Sequence, residues 1–251
     1  MKRLIALLVI LFLPCLAWGQ GMQPVGGITV SGGAPSGQTF SEPFTYSNGE
    51  LATVSSGVWV KLTGADSSVA SNLLALGDST VYLYATPTDT VSQYVAIWMS
   101  DAESTYSGIY ARQIATDNAT TKAYALRHNV ADELVVRYCT GTSCTTIGNA
   151  MDPGYIGAND SFGLEVTGTG ASTKWKIFYW DNAAVPARGS WGTCNYGKYI
   201  TGQTATTCTA NEAVADLGAN YADTGKYVGV YSGGISSGNQ NYDNWVAGDI
   251  Q

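Results

Sequence analysis

The chain has 251 residues, with 12 Lys+Arg against 19 Asp+Glu and a single His, for a formal net charge of −7 at pH 7. This balance excludes a nucleic-acid binder that neutralises phosphates with a basic face. Only 12% of residues are charged and 45% are hydrophobic, with 16 Tyr, 7 Trp and 30 Gly, which excludes a disordered acidic tail and suits a folded, β-rich body.

The chain opens on Met1, Lys2 and Arg3, a short positive start, followed by an unbroken apolar run from Leu4 to Leu13. Pro14 breaks the run, and Ala17 and Gly19 place small residues ahead of a cleavage point before Gln20. Residues 1–19 therefore read as a secretory signal peptide. The apolar run is about half the roughly 20 residues that a membrane-spanning helix needs. Pro14 before Cys15 does not suit lipoprotein cleavage. The expectation is a secreted protein, extracellular or periplasmic, with no membrane insertion after cleavage. Residues 20–38 are rich in Gly, Ser and Pro and read as a linker. Within it, Val25 to Val30 is strand-competent and could add to the sheet edge of a neighbouring copy.

From residue 39 onward short alternating runs recur between turn-forming clusters. They are Val58–Leu62, Val81–Tyr84, Gln93–Met99, Gly108–Ile114, Lys122–His128, Glu133–Tyr138, Phe162–Val166, Lys174–Trp180, Tyr227–Tyr231 and Asn244–Ala247. Each is rich in Val, Ile, Tyr, Trp or Thr, as strands are. Only Ala210 to Ala219 offers a modest helical pattern. The pattern predicts an all-β chain, a single antiparallel sandwich or barrel over residues 39–251. Beyond Cys15 in the leader, the cysteines are Cys139, Cys144, Cys194 and Cys208. An even set in an exported chain predicts two disulfides, and the local pairs 139–144 and 194–208 are favoured because each flanks a Gly/Thr-containing turn. The spacings lack the paired Cys-x2-4-Cys knuckles of a zinc site.

Successive strand residues point to opposite faces of a sheet. Val95, Ile97 and Met99, Ile109 and Ala111, Leu134 and Val136, Phe162, Leu164 and Val166, and Trp175, Ile177 and Tyr179 are assigned to the core. The opposite parity leaves Trp98, Tyr110, Arg112, Arg137, Glu165, Lys176 and Trp180 pointing outward. A wet face with aromatic rings beside hydrogen-bonding groups suits a saccharide, whose C–H faces stack on rings while its hydroxyls need partners. The competing reading is that a loop covers these rings, or that the register slips by one residue.

Several segments in order carry a family likeness. They are Phe40 to Tyr46, Tyr94 to Ser100, Tyr106 to Arg112, Phe162 to Gly168, Trp175 to Tyr179 and, most distinctive, Gly229-Val-Tyr231 followed by Asp243-Asn-Trp-Val-Ala-Gly248. This order resembles the concanavalin A-like lectin/glucanase superfamily, in its laminin G-like jelly-roll form. The resemblance implies a jelly-roll sandwich over nearly all of residues 39–250. It also implies a structural calcium where the first and last strands meet, held by Asp243 with backbone oxygens near Glu42; an oxygen-only set suits that hard cation. The hydrolase branch of the superfamily carries Glu-x-Asp-x-x-Glu on one strand, a spacing suited to retaining chemistry. None of the six Glu of this chain sits in such a motif, and one His excludes two-histidine mechanisms. Gly234-Ile-Ser-Ser-Gly238 fits Gly-x-Ser-x-Gly only formally, because no His follows it. The expected function is a secreted, non-catalytic carbohydrate-binding module whose partner is a glycan or cell-surface polysaccharide. The alternative is a structural or surface-assembly subunit that uses the sandwich as a scaffold.

Overall fold

The computed structural model describes residues 37–101, 106–116, 122–140, 143–147, 150–191, 210–211, 222–233 and 241–250. The chain separates into residues 1–35 and 36–251, and every described residue belongs to the second unit. The expected signal peptide, the segment Val25 to Val30, Cys194 and Cys208 all lie outside the described residues. Among those described, no helix is long and apolar enough to cross a membrane.

The strands in chain order are β1 (Thr39–Glu42), β2 (Gly49–Glu50), β3 (Trp59–Thr63), β4 (Ser68–Ala70), β5 (Leu73–Ala75) and β6 (Val81–Tyr84). They continue with β7 (Gln93–Met99), β8 (Ser107–Gln113), β9 (Lys122–His128), β10 (Leu134–Thr140) and β11 (Ser143–Thr146). The last are β12 (Ser161–Thr167), β13 (Lys174–Trp180), β14 (Ala210–Asn211), β15 (Tyr227–Ser232) and β16 (Asn241–Asp249). One sheet runs β14-β13-β12-β7-β16-β5-β4-β2, with β1 also paired to β16, nine strands in all. The other runs β11-β10-β9-β8-β15-β6-β3, seven strands. All pairings are antiparallel, and the two sheets form a sandwich. Ala210 and Asn211, expected at the start of a helix, instead pair with Lys176 and Trp175 as an edge strand. Gln38, expected in the linker, already belongs to the fold, since its carbonyl accepts from the Asp249 N–H.

The alternation read from the sequence builds the core. Val95, Ile97, Met99, Phe162, Leu164, Val166, Trp175, Ile177 and Tyr179 of the nine-stranded sheet meet Ile109, Ala111, Leu134 and Val136 of the other. Trp59, Tyr84 and Trp245 close one region of this core edge-to-face and stacked, with ring centroids 4.9–5.5 Å apart. Truncating a fully buried residue such as Leu164 to Ala removes about 2–5 kcal/mol in a core of this kind.

The loops are fixed by buried carboxylates as much as by turns. Asp249, at the end of β16, accepts from the backbone N–H groups of Gln38, Asp89 and Thr90 and from the Thr90 hydroxyl at 2.7–3.0 Å. Glu50 caps the one-turn helix α1 (Leu51–Val54) and also accepts from the Tyr82 hydroxyl at 2.5 Å. The expected disulfide between Cys139 and Cys144 is formed, and its two residues stand directly opposite each other across the β10–β11 hairpin.

Candidate functional site

The seven residues expected on one outward face are divided among three environments. Trp98, Glu165, Lys176 and Trp180 point to the outer face of the nine-stranded sheet, on β7, β12 and β13. Tyr110 and Arg137 belong to the outer face of the seven-stranded sheet. Arg112 lies on neither. Its φ of 58° breaks the alternation after Ala111, and its side chain is fully buried at one end of the sandwich. There its guanidinium donates to the carbonyls of Val91 and Gly168, while its backbone N–H donates to Gln93 Oε1. Burial brings Arg112 down to about 10. This residue ties the two sheets together and is not a ligand-facing group.

The outer face of the nine-stranded sheet is covered. Tyr94, Ala96, Phe178, Trp180 and Trp191 form a second apolar cluster, with Ala183, Val185, Val246 and Ile250 packed against it. The segment 181–191 after β13 supplies the cover. It is pinned by Ser161, whose hydroxyl donates to the Ala183 carbonyl, and closed by Trp191, whose Nε1 donates to the Pro186 carbonyl at 2.9 Å. Trp180 is 0% exposed and stacks near Phe178 at 5.8 Å, so it offers no free ring to a sugar. The expected stacking role of Trp180 is therefore corrected. Parity gave its direction, and parity carries no information about what lies above it. The sequence held one signal: Ala183, Ala184, Val185, Pro186 and Trp191 make an unusually apolar loop beside an apolar outward row.

Glu165 is buried on this same face and is ion-paired to Arg188, with Lys176 Nζ 3.7 Å away. Arg188, missed in the sequence reading, lies over the rings of Tyr94 and Trp191 at 5.1 and 5.0 Å. Glu165, Lys176 and Arg188 line a groove of about 290 Å³ together with Lys174 and Phe178. Glu165 and Lys176, expected to contact hydroxyls, are thus brought together as partners of each other and of Arg188.

A different groove presents an open ring. Pro153, Gly154, Tyr155, Tyr179 and Asp181 line a depression of about 340 Å³ at the end of the sandwich where β12 begins and β13 ends. Tyr155 is 65% exposed, whereas Tyr110, Tyr179 and Trp180 are buried. The edge of the Tyr155 ring comes close to Gly157, where a Cβ would stand 2.5 Å from Tyr155 Cε1. Asp181 is exposed beside it, and Asp152 accepts from the Gly154 N–H at 2.8 Å. The loop is held by Asp160, whose buried carboxylate accepts from the Gly157 N–H at 2.6 Å, the Tyr179 hydroxyl at 2.6 Å and the Asn182 N–H at 2.7 Å. The Tyr179 hydroxyl also meets the Tyr155 carbonyl at 3.0 Å. Trp98, half-buried, sits at the same end of the sheet, opposite Ser161 and Asp243 in register. Tyr155 was legible in principle, since an aromatic bracketed by Pro153, Gly154 and Gly157 sits in a turn-rich loop and not in a core strand.

Asp243 and Glu42 come to the junction of β1 and β16, where Glu42 stands opposite Trp245. Glu42 accepts from the Phe44 N–H at 2.7 Å and from the Tyr46 hydroxyl. Asp243 accepts from the Asn244 N–H at 2.7 Å, beside a register shift. Burial, together with the nearby charge of Glu42, raises the Asp243 carboxyl above its ordinary value. Two oxygen ligands that repel each other are compatible with a hard cation, although Glu42 already has a donor on each oxygen. Among the described residues no three His, Cys, Asp or Glu side chains cluster as a metal site.

No protein-family model matches the chain, and no curated protein is significantly similar to it. Among solved structures it is similar to a mutant of the GH43 protein BlXynB from Bacillus licheniformis, at 13% identity and a TM-score of 0.45. That match covers 84% of this chain and 39% of the other, so the chain spans about two fifths of that protein's length. It is similar to a prokaryotic β-1,3-1,4-glucanase (lichenase) derived from a mouse hindgut metagenome, at 13% identity and a TM-score of 0.41, covering 84% and 98% of the two chains. It is also similar to the carbohydrate-binding module CBM66 from Bacillus subtilis, at 10% identity and a TM-score of 0.36, covering 76% and 92%.

Proposed function

We propose that the chain is a secreted carbohydrate-binding module that holds its ligand without cleaving it, at the Tyr155 groove. The carrying observation is the solvent-facing Tyr155 ring, with Gly157 at its edge and the acceptor Asp181 lining the same groove. A pyranose C–H face stacks on such a ring, and its hydroxyls donate to the carboxylate. Half-buried Trp98 at the same end of the sheet supplies a second apolar surface. An open site of this kind supports millimolar to micromolar affinity, about −4 to −8 kcal/mol. The non-catalytic part of the reading rests on the described glutamates, which are engaged structurally. Glu50 caps α1, Glu133 accepts from Asn129, Glu42 accepts from Phe44 and Tyr46, and Glu165 is paired with Arg188. A general acid needs a carboxyl within reach of the leaving oxygen, and none of these four glutamates lines the Tyr155 groove. The secreted part rests on the composition of residues 1–19 and is checked by amino-terminal sequencing of the exported protein.

A glycan array probed with calcium present, followed by calorimetric titration of the sugars it selects, tests the assignment. Tyr155→Ala is expected to abolish binding and Trp180→Ala to leave the affinity unchanged. A blank array, or a Tyr155→Ala variant that binds as tightly as the parent, overturns it.

A further inference from the structure

Among the described residues, the outer face of the seven-stranded sheet carries two arginines, Arg127 and Arg137, that enter no ion pair. Arg137 stands opposite Ala125, which stands opposite Tyr110; on the next row Arg127 stands opposite Gly108, which stands opposite Tyr231. All six alternate away from the core, so the small residues Gly108 and Ala125 form a floor between two arginines and two tyrosines. Arg127 lies over the Tyr106 ring at 4.5 Å, and Arg137 donates to the Cys144 carbonyl. Both arginines are half-buried. The Nε of each is buried and meets no acceptor, and the Tyr231 hydroxyl proton likewise finds none. The cations in ion pairs among the described residues are Lys61, His128, Lys176 and Arg188, not these two.

Two half-desolvated like charges set diagonally on one face oppose folding unless something cancels them. Burial, with Arg137 adding to it, lowers Arg127, and both guanidiniums act on the buried Tyr231 phenol. In a chain with net charge −7, where acids outnumber bases, two arginines that pair with no carboxylate among the described residues are a local exception. The planar guanidinium fork matches the oxygens of a carboxylate or sulfate, and an ionised acceptor strengthens each hydrogen bond.

We propose that this face binds an anionic group, a carboxylate or a sulfate ester, between the half-buried guanidiniums of Arg127 and Arg137. The site is distinct from the Tyr155 groove and does not depend on it. On a glycan it selects acidic sugars, uronates or sulfated residues, over neutral ones.

The test is calorimetric titration of the full-length exported protein with sodium sulfate, polygalacturonate, dextran sulfate and, as the uncharged control, dextran. The expected result is binding of at least one of the three anionic probes and no response to dextran at this face. Affinity should fall as salt rises, because the contact is ionic. Polygalacturonate alone identifies a carboxylate, dextran sulfate alone a sulfate ester, and inorganic sulfate alone a small free anion. The Arg127→Gln/Arg137→Gln variant is expected to lose about thirtyfold or more in affinity, the scale for removing one side of a desolvated charge contact. Its unfolding temperature without ligand should stay within about 2 °C of the parent, well inside the shift of a lost core contact. If that variant does not fold, Arg137→Lys keeps the charge and loses the fork, and it should still bind more weakly than the parent. Tyr155→Ala should bind the same anion as the parent does, which separates failure here from failure of the groove. No binding of any anionic probe, or full affinity in the variants, overturns the proposal.

Discussion

Asp160 is the residue on which the Tyr155 groove depends, and Asp160→Asn measures that dependence. The carboxylate is buried and receives three donors: the Gly157 N–H and Tyr179 hydroxyl on Oδ2, and the Asn182 N–H on Oδ1. An amide keeps one acceptor oxygen, which can serve the Asn182 N–H. It then turns an NH2 toward the Gly157 N–H, so that two donors face each other and the Tyr179 hydroxyl must turn away. Each hydrogen bond to a charged group contributes about 1.5–3 kcal/mol, and neutralising the buried acid returns part of its desolvation. The net loss is about 3 kcal/mol. For a body of this size, 1 kcal/mol corresponds to roughly 2–4 °C, so the midpoint should drop by about 6–12 °C. Thermal unfolding followed by circular dichroism gives that number, and titration of the folded variant with the selected sugar gives the second. Affinity should weaken, because the turn from Gly157 to Asp160 positions the ring. A midpoint within about 2 °C of the parent together with unchanged affinity would refute the clamp.

Four further outcomes are expected. Glu50 is partly desolvated, which opposes its charge, yet bonds from Tyr82, Thr53 and Ala52 bring it down to about 2. Its folded value lies below the unfolded one of about 4.3, so its contribution is complete above that pH and is lost as the pH falls toward 2; Glu50→Gln should flatten this part of the stability–pH curve measured by thermal unfolding. Reducing Cys139–Cys144, whose loop is short, should remove about 2 kcal/mol of stability in a denaturant titration with and without reductant. Trp180→Ala opens a cavity under the 181–191 segment, and about 3–5 kcal/mol of stability should go with it in the same titration. Calcium should raise the unfolding temperature of the parent and not of Asp243→Asn; equal shifts in both would remove the cation from this junction.

The strand interiors were legible because burial on one face imposes a period of two. Val95, Ile97, Met99, Leu164 and Ile177 follow it without exception, and all five lie in the core. The β4–β5 hairpin was not legible. Its turn uses Ser71 and Asn72 at φ of 53° and 64°, a mirror-image geometry usually announced by glycine, and neither residue is one. Arg112 escaped for a related reason: a residue in the left-handed region at the end of β8 breaks the alternation for what remains of that strand. Beside it Gly225 approaches so closely that a Cβ there would stand 1.8 Å from the Arg112 carbonyl oxygen. Such backbone crowding has no signature in composition.

The two outer faces of the sandwich show why parity could point to aromatics and charges without saying which were available. On the nine-stranded sheet the outward rings Tyr94, Phe178 and Trp180 are too apolar to be left in water, and the segment after β13 folds back to cover them. The one buried acid there, Glu165, is neutralised by Arg188 from the covering segment and by Lys176 from its own sheet. Trp180 is buried within that covered face, so it belongs to stability. On the seven-stranded sheet Ala123 and Ala125 lie beside Val81, Leu83, Tyr110 and Tyr231 in an outer apolar cluster, with Gly108 opposite Tyr231, and Arg127 and Arg137 there enter no ion pair among the described residues. Among the described residues, two arginines outside any ion pair on one face and the exposed Tyr155 ring at the end of the other sheet are the groups on which the two proposals rest. On the two proposals, a neutral sugar ring would meet the second and an anionic substituent the first.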